Sequence, residues 1–442
     1  MNLLDIGSDF PLWQPFTPMK SIVYNPLIIE KGHGIYIYDQ DGDQYIDAAG
    51  GLWNISFGLG NRKILAAMKK QMEKMAFGSL FYRSNPVAIE LAARLVEITC
   101  PKLTRVFLTC SGSESIEVAI KVIRNYNSLT GSSSKKDIIC LKRGYHGVYY
   151  GSGTASDIIY RKEDFGPNLP GIFHIEAPYC YRCPYGMAFP DCGIKCADEL
   201  DKIAGEKQGK VAAFIMEPIL GSAGIIVPPK EYFRRIETIC KMHDIFFVLD
   251  EVATGFGRTG EMFAAELFNI EPDVLILSKG INSGYLPLGA ALFCEKIFKP
   301  FWENDFPLQF GSTQDGNPVC CAASLATIDV LQGEGLLENC KNMGQQLKQG
   351  FREIMEKARH IGDVRGEGLM LGIELVQSKE KKTQVEPQHI SFVVNFLKER
   401  GLLVYPNPCG ISLFPALNVS EEEVHKILSI LKKIFIQLRL GG

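Results

Sequence analysis

Between about residues 100 and 300 the chain alternates short apolar runs rich in β-formers with longer helical patterns, which leaves few architectures open. The runs are Arg105 to Thr109, Ile138 to Leu141, Val211 to Met216, Ile245 to Leu249, Val274 to Leu277 and Ala290 to Phe293. Near-continuous hydrophobicity over so few residues marks strands buried on both faces, and the helices between them supply the crossovers that parallel pairing needs. The expectation is an α/β fold with a mostly parallel central sheet. In SGSESIEVAIKVIRNY, Ile116, Ile120 and Ile123 share one helix face, while Ser113 and Glu114 occupy its first turn. Beyond about residue 320 the character changes. Helical patterns at Asn342 to Lys357 and Ser391 to Arg400 flank short strands at Met370 to Leu375 and Leu402 to Tyr405. We read residues 61–320 as a large domain and 321–442 as a smaller α+β domain. Residues 1–60, with the hairpin-like GHGIYIYDQDGDQYID, pack beside the small one in this reading.

Charge and composition exclude several classes of function. Forty-seven Lys+Arg against fifty Asp+Glu give a net charge of −3, so there is no surplus to hold nucleic acid or an anionic bilayer. The most apolar strand-like runs, Val211 to Met216 and Ile245 to Leu249, are far shorter than the roughly 20 residues a membrane-spanning helix needs. The opening MNLLDIGSDF carries Asp5 and Asp9 and has no basic stretch before an apolar run, so no secretory signal is expected and the location expected is cytoplasmic. Thirteen cysteines, an odd number, then read as reduced thiols, ligands or core fillers.

Ligands of open α/β sheets gather at the carboxyl ends of the strands, so the polar residue that ends each run is informative. FLTC leads into Ser111, Gly112 and Ser113; AAFIM into Glu217; FFVL into Asp250 and Glu251; VLIL into Ser278 and Lys279. Any one of these alone reads best as a cap or a solvated loop residue. Their recurrence at successive strand ends points to a shared rim. A lysine closing an apolar strand is partly dehydrated, which lowers its pKa and exposes a nucleophilic amine able to form an imine. The Ser-Gly-Ser turn opening a helix offers backbone N–H groups and a helix amino terminus to a phosphate. A buried Asp250 suits the protonated nitrogen of a pyridine ring. GFGRTG, with Gly255, Gly257 and Gly260, matches the dinucleotide fingerprint G-x-G-x-x-G, but Asp250 and Glu251 would repel a pyrophosphate there. No G-x-x-x-x-G-K-[ST] and no H-E-x-x-H occurs.

The segment FFVLDEVATGFGRTGEMFAAE…PDVLILSKGINSGYLPLGA closely resembles the signature of class III pyridoxal-phosphate-dependent aminotransferases. The likeness extends through YDQDGDQYIDAAGGLWNISFG, TCSGSESIEVAIK, GYHG, MEPILGSAG and FGSTQDGNPV, and so covers nearly the whole chain. It implies a fold-type-I transferase that moves an amino group between small amines and keto acids by a ping-pong exchange. By motif position, Lys279 resembles the family's Schiff-base lysine, Asp250 the pyridinium partner and Val252 the residue against one ring face. Tyr145 resembles the aromatic on the other face, with His146 beside it among the cofactor contacts. Ser111, Gly112 and Ser113 resemble the phosphate turn, and Glu217 the acid supporting the ring-oxygen network. Thr313 is similar to a threonine that reaches the phosphate of a neighbouring subunit, which implies a homodimer with shared sites. Trp53, Phe81 and Tyr82 fall where family members line the substrate pocket, with core packing as the competing reading. An aminomutase or decarboxylase on the same scaffold is the alternative, and a non-catalytic interaction protein a more distant one.

Two departures stand out. Family members that use glutamate commonly carry an arginine just before the segment matched by FPALNVSEEEV, paired with a glutamate in an EPIxGE turn. Here residues 401–420 contain no arginine, and the turn reads EPILGS with Ser222 in the acid's place. An unpaired buried carboxylate is costly, so pyruvate as acceptor with an ω-amino acid or simple amine as donor fits better, or else Arg83 or Arg258 reads the carboxylate. The second departure is a C-x2-C and a C-x3-C formed by Cys180, Cys183, Cys192 and Cys196, spacing that suits either a structural zinc knuckle or plain reduced thiols.

Overall fold

The computed structural model describes residues 11–20, 26–159 and 162–437. The first ten residues, on which the leader reading rests, lie outside them. Strands β1 (Ile29–His33), β2 (Tyr36–Asp39) and β3 (Gln44–Asp47) form an antiparallel meander. The central sheet follows, with β4 (Leu103–Thr109), β5 (Asp137–Leu141), β6 (Ile172–Ile175), β7 (Val211–Met216), β8 (Phe246–Asp250), β9 (Val274–Leu277) and β10 (Gly289–Cys294). Their order is β4-β10-β9-β8-β7-β5-β6.

All six expected strands are present, and the mostly parallel sheet is borne out. Only β10 is reversed, running antiparallel to both β4 and β9. β6 has no counterpart in the sequence reading. It is a four-residue edge strand, and half-exposed residues such as Ile172 and His174 dilute its apolar signal. In β7, β8, β9 and β10 every residue is buried, as their continuous hydrophobicity requires. Helix Gly112–Leu129 covers one face, burying Ile116, Ile120 and Ile123 as its periodicity predicts.

The remaining strands are β11 (Ile361–Glu367), β12 (Met370–Ser378), β13 (Thr383–Gln384), β14 (Leu402–Leu403), β15 (Tyr405–Asn407) and β16 (Gly410–Leu413). Four of them make an antiparallel sheet in the order β11-β12-β16-β15. Helices Leu336–Lys357 and Glu421–Gln437 pack so closely that a Cβ on Gly350 would lie 2.5 Å from Leu428. β14 pairs in parallel with β3, joining the amino-terminal meander to the carboxy-terminal segment. Among the described residues no single helix is long and apolar enough to cross a membrane.

Candidate active site

The carboxyl ends of β4, β5, β7, β8 and β9 supply one rim of polar residues, the place where an open α/β sheet gathers its ligands. β9 ends at Leu277, and Ser278 leads into a short turn, Lys279–Ile281. Lys279 adopts φ 43°, a left-handed conformation that costs a non-glycine residue energy and recurs at functional sites. Packing around its amine pushes the pKa below the ordinary lysine value, against the pull of Asp250 and Glu217.

Asp250 closes β8. Its Oδ2 lies 2.7 Å from His146 Nδ1, and its Oδ1 accepts from the Val252 amide at 3.1 Å. Burial alone would lower the His146 pKa, but the hydrogen bond to Asp250 overrides it and the net shift is upward. The other ring nitrogen, Nε2, is buried without a hydrogen-bond partner among the described residues. Glu217 follows β7 and accepts from the amides of Tyr145 at 3.0 Å and Gly221 at 2.9 Å. Burial pushes its carboxyl up to about 7.

After β4, the Ser111 side chain caps helix Gly112–Leu129 by accepting from Glu114 N at 3.2 Å. The first two amides of that helix, Gly112 and Ser113, keep no partner among the described residues, as expected of a helix amino terminus ready for an anion. A Cβ on Gly112 would lie 2.9 Å from Val252, so glycine is what lets this turn approach Val252. Ser113 Oγ accepts from Val148 N at 3.3 Å, tying the turn to the segment after Tyr145 and His146.

Trp53 closes the other side. Its ring centroid is 5.0 Å from Lys279 Nζ, it stacks on Phe414 at 4.3 Å, and Tyr405 meets it edge-on at 5.0 Å. Tyr405 and Phe414 were not singled out in the sequence. The signal available was that Phe414 opens the FPAL segment and Tyr405 ends the Leu402 to Tyr405 run just before it. The segment Gly50, Gly51, Leu52 and Trp53 is a single left-handed turn, with φ of 57°, 54°, 68° and 64°. For Leu52 and Trp53 such a conformation costs about 1–2 kcal/mol per residue.

Lys279, Asp250, His146, Glu217, Val252, Tyr145, Ser111, Gly112, Ser113 and Trp53 are thus brought together. Phe81, Tyr82 and Thr313 are exposed. Phe81 lies by the 311–315 loop, where a Cβ on Gly311 would be 3.1 Å from its ring, and it makes no ring contact with Trp53. Arg258 is buried 5.7 Å from the Phe414 ring: its Nη1 donates to the carbonyls of Leu369 (3.2 Å) and Pro415 (2.6 Å), and its Nη2 has no hydrogen-bond partner among the described residues. Arg83 is exposed. The glycines of GFGRTG are used in packing, with Gly257 against Leu417 and Leu331, and Gly260 against Lys341.

Of the two readings of the four-cysteine loop, the zinc knuckle finds no support in the geometry. Cys180, Cys183, Cys192 and Cys196 line one small cavity as free thiols. A four-thiolate zinc site puts sulfurs about 3.8 Å apart, given Zn–S bonds of about 2.3 Å. No three of these four sulfurs lie within 4.8 Å of one another; the one trio of potential ligands that close among the described residues is Cys110, Glu114 and Asp315. That trio is accounted for by hydrogen bonding. The Cys110 thiol, pushed up to about 11 chiefly by burial, donates to Asp315 at 3.6 Å, and Glu114 accepts from Cys110 N at 2.7 Å.

A dehydrated amine beside an acid–imidazole pair, with an unpaired helix amino terminus at the same rim, equips an enzyme that works through a bound carbonyl cofactor with an anionic handle. Residues 19–435 match the family model of the class-III aminotransferases. An adenosylmethionine-8-amino-7-oxononanoate aminotransferase of Methanocaldococcus jannaschii is 37% identical over 96% of this chain and 95% of its own length. A taurine–pyruvate aminotransferase of Bilophila wadsworthia is 34% identical over the same shares. The crystal structure of an amine transaminase from an uncultivated Pseudomonas species, in its PLP-bound form, superposes with a TM-score of 0.93 at 32% identity, covering 97% of this chain and 98% of the other.

The chain belongs to the class-III aminotransferases, a family of pyridoxal-phosphate enzymes on a fold-type-I scaffold. Its own residues fit that cofactor: an amine for the aldehyde, a buried carboxylate for the ring nitrogen, and a glycine-floored helix terminus for the phosphate.

Proposed function

We propose that this aminotransferase takes its amino group from an amine or ω-amino acid lacking an α-carboxylate and delivers it to pyruvate. The observation that carries this reading is the apolar wall beside the Lys279 amine: the Trp53 indole at 5.0 Å, itself backed by Tyr405 and Phe414. Arg258 Nη1 donates to two backbone carbonyls while its buried Nη2, on the far side of Phe414, has no partner among the described residues, and Arg182 and Arg365 are both held by Glu374. The likeness to a taurine–pyruvate aminotransferase supports pyruvate as acceptor.

In this reading the Lys279 amine would hold the cofactor through its aldehyde, and the same amine, when free, would move a proton to and from the substrate carbon. When bound, the protonated pyridine ring supplies an electron sink. Asp250 holds the proton on the ring nitrogen, and His146 fixes Asp250 from behind. Glu217 anchors the Tyr145 backbone; Tyr145 and Val252 would flank the ring, and Ser111, Gly112 and Ser113 would hold the phosphate. Trp53 keeps water from the amine.

A second copy of the chain completes each site. Tyr82 is 103% exposed, and Phe81 and Thr313 are exposed beside the same loop; a partner covering them puts the aromatics on the substrate path and Thr313 at the partner's phosphate turn. The domain division at residues 60 and 320 and a cytoplasmic location belong to the same proposal. A panel of amines, ω-amino acids and glutamate, each incubated with pyruvate or 2-oxoglutarate, tests the function. Alanine forms from amines and pyruvate while glutamate is a poor donor. Carbon dioxide release in place of alanine would mean a decarboxylase and refute the proposal.

A further inference from the structure

We propose that Asp47 is a positioning residue whose carboxylate clamps the left-handed turn 50–53 and thereby seats the Trp53 indole against the Lys279 amine. The turn is closed by its own hydrogen bonds, Trp53 N to Ala49 O at 2.9 Å and Asn54 N to Gly50 O at 2.8 Å, but these do not fix it against the sheet. Leu52 is strained at φ 68° and 62% exposed, so burial offers it no compensation. What ties the turn to the sheet is Asp47 at the end of β3, whose Oδ1 accepts from Ala49 N at 3.1 Å and whose Oδ2 accepts from Gly51 N at 2.7 Å. Asp47 is itself anchored, since β3 pairs with β14 and its own amide donates to Ile35 O at 2.8 Å. A Cβ on Gly50 would lie 2.4 Å from the Phe414 carbonyl, so the turn sits tightly on the strand end that carries Trp53's stacking partner.

The consequence falls on Lys279. Its amine faces Asp250 from β8 and Glu217 from the segment after β7, both of which favour the charged form; the indole face at 5.0 Å also attracts an ammonium but keeps water out, and burial prevails, leaving the pKa below the ordinary lysine value. If the turn relaxes to right-handed backbone, the Cβ direction of Trp53 changes, the ring leaves its stack on Phe414, and water reaches the amine. Asp47 bonds to the Ala49 and Gly51 amides and is not among the charges acting on Lys279, so its effect on that amine runs through Trp53. The inference concerns the chain without cofactor and stands whichever amine the enzyme uses.

The test reads Lys279 in cofactor-free protein, by the pH dependence of its acylation with acetic anhydride, followed by peptide mass spectrometry. Asp47→Ala and Trp53→Leu each raise the labelling midpoint by about one pH unit, and the double variant moves it no further than either single one. Asp47→Asn, which keeps one acceptor oxygen, falls between, and it carries the test should Asp47→Ala not fold. Leu52→Gly, which relieves strain without touching the clamp, leaves the midpoint in place.

A second readout is fluorescence. Of the three tryptophans, Trp13 and Trp302 are 86% and 76% exposed whereas Trp53 is 5% exposed. In a Trp13→Phe, Trp302→Phe background the remaining emission therefore reports the turn, and it shifts red and becomes open to acrylamide in Asp47→Ala. A midpoint and emission unchanged by Asp47→Ala, or shifts that add in the double variant, would overturn the proposal.

Discussion

Glu251 gives the sharpest quantitative expectation. It follows Asp250 directly but turns away from Lys279, and its carboxylate accepts from Ala264 N and Ala265 N, both at 2.7 Å, and from Thr254 Oγ1 at 3.0 Å. Burial outweighs these three bonds and pushes the carboxyl up to about 7, against about 4.3 in the unfolded chain. A raised folded pKa means that the native state holds the proton longer. The stability from this group is fully present below pH ~4.3 and is lost as pH rises through about 7. Each pH unit over which the folded chain keeps a proton that the unfolded chain has released costs about 1.4 kcal/mol, so the loss from pH ~5.5 to ~7.5 is about 2 kcal/mol. For a chain of 442 residues that corresponds to about 2 °C in Tm. Glu251→Gln cannot titrate. It loses hydrogen-bond quality at every pH, which is a constant offset, but its Tm falls less steeply over this window. Thermal unfolding of cofactor-free protein at matched concentration across that range measures the difference, in which the other titrating groups cancel. Equal slopes for the two proteins would refute the reasoning, because the charge would then be fully compensated by the Ala264 and Ala265 amides.

Three further outcomes follow from named contacts. Lys279→Ala abolishes turnover, and borohydride treatment of the loaded protein then fixes no cofactor adduct at that position, as peptide mapping checks. Asp250→Ala strips His146 of its partner inside the protein, costs about 3–5 kcal/mol and nearly abolishes turnover; Asp250→Asn, which keeps the shape, separates lost charge from lost folding in the same kinetic assay. Arg258→Met leaves the Leu369 and Pro415 carbonyls without their donor and lowers stability by about 2–4 kcal/mol, while KM for a carboxylate-bearing donor stays at the wild-type value. A raised KM would reassign Arg258 to substrate binding.

The buried half of this molecule was legible because one physical demand produces one pattern. Strands covered on both faces must be apolar throughout, so β7, β8 and β9 could be read almost to the residue. A ligand at their carboxyl ends makes the next residue polar, which exposed Glu217, Asp250 and Lys279. β6 escaped because an edge strand only partly covered needs no continuous apolar run. The pairing of His146 with Asp250 joins residues 104 positions apart, and no spacing rule links them. The Cys180, Cys183, Cys192 and Cys196 spacing carried into space, since all four line one cavity, but spacing alone does not choose between a metal knuckle and reduced thiols, because sulfur separation depends on backbone turns that the motif does not encode.

Trp53 shows the same limit most clearly. Its place in GGLWNISFG pointed to the pocket, but nothing in that string states that Gly50 to Trp53 coil left-handedly or that Asp47 holds them. Two adjacent glycines permit such a turn without requiring it. The requirement comes from outside the segment, from the carboxylate of β3 and the carbonyl of Phe414, some 360 residues onward. Local sequence therefore identified the groups that do the chemistry, whereas the strain and dehydration that tune them arise from long-range packing.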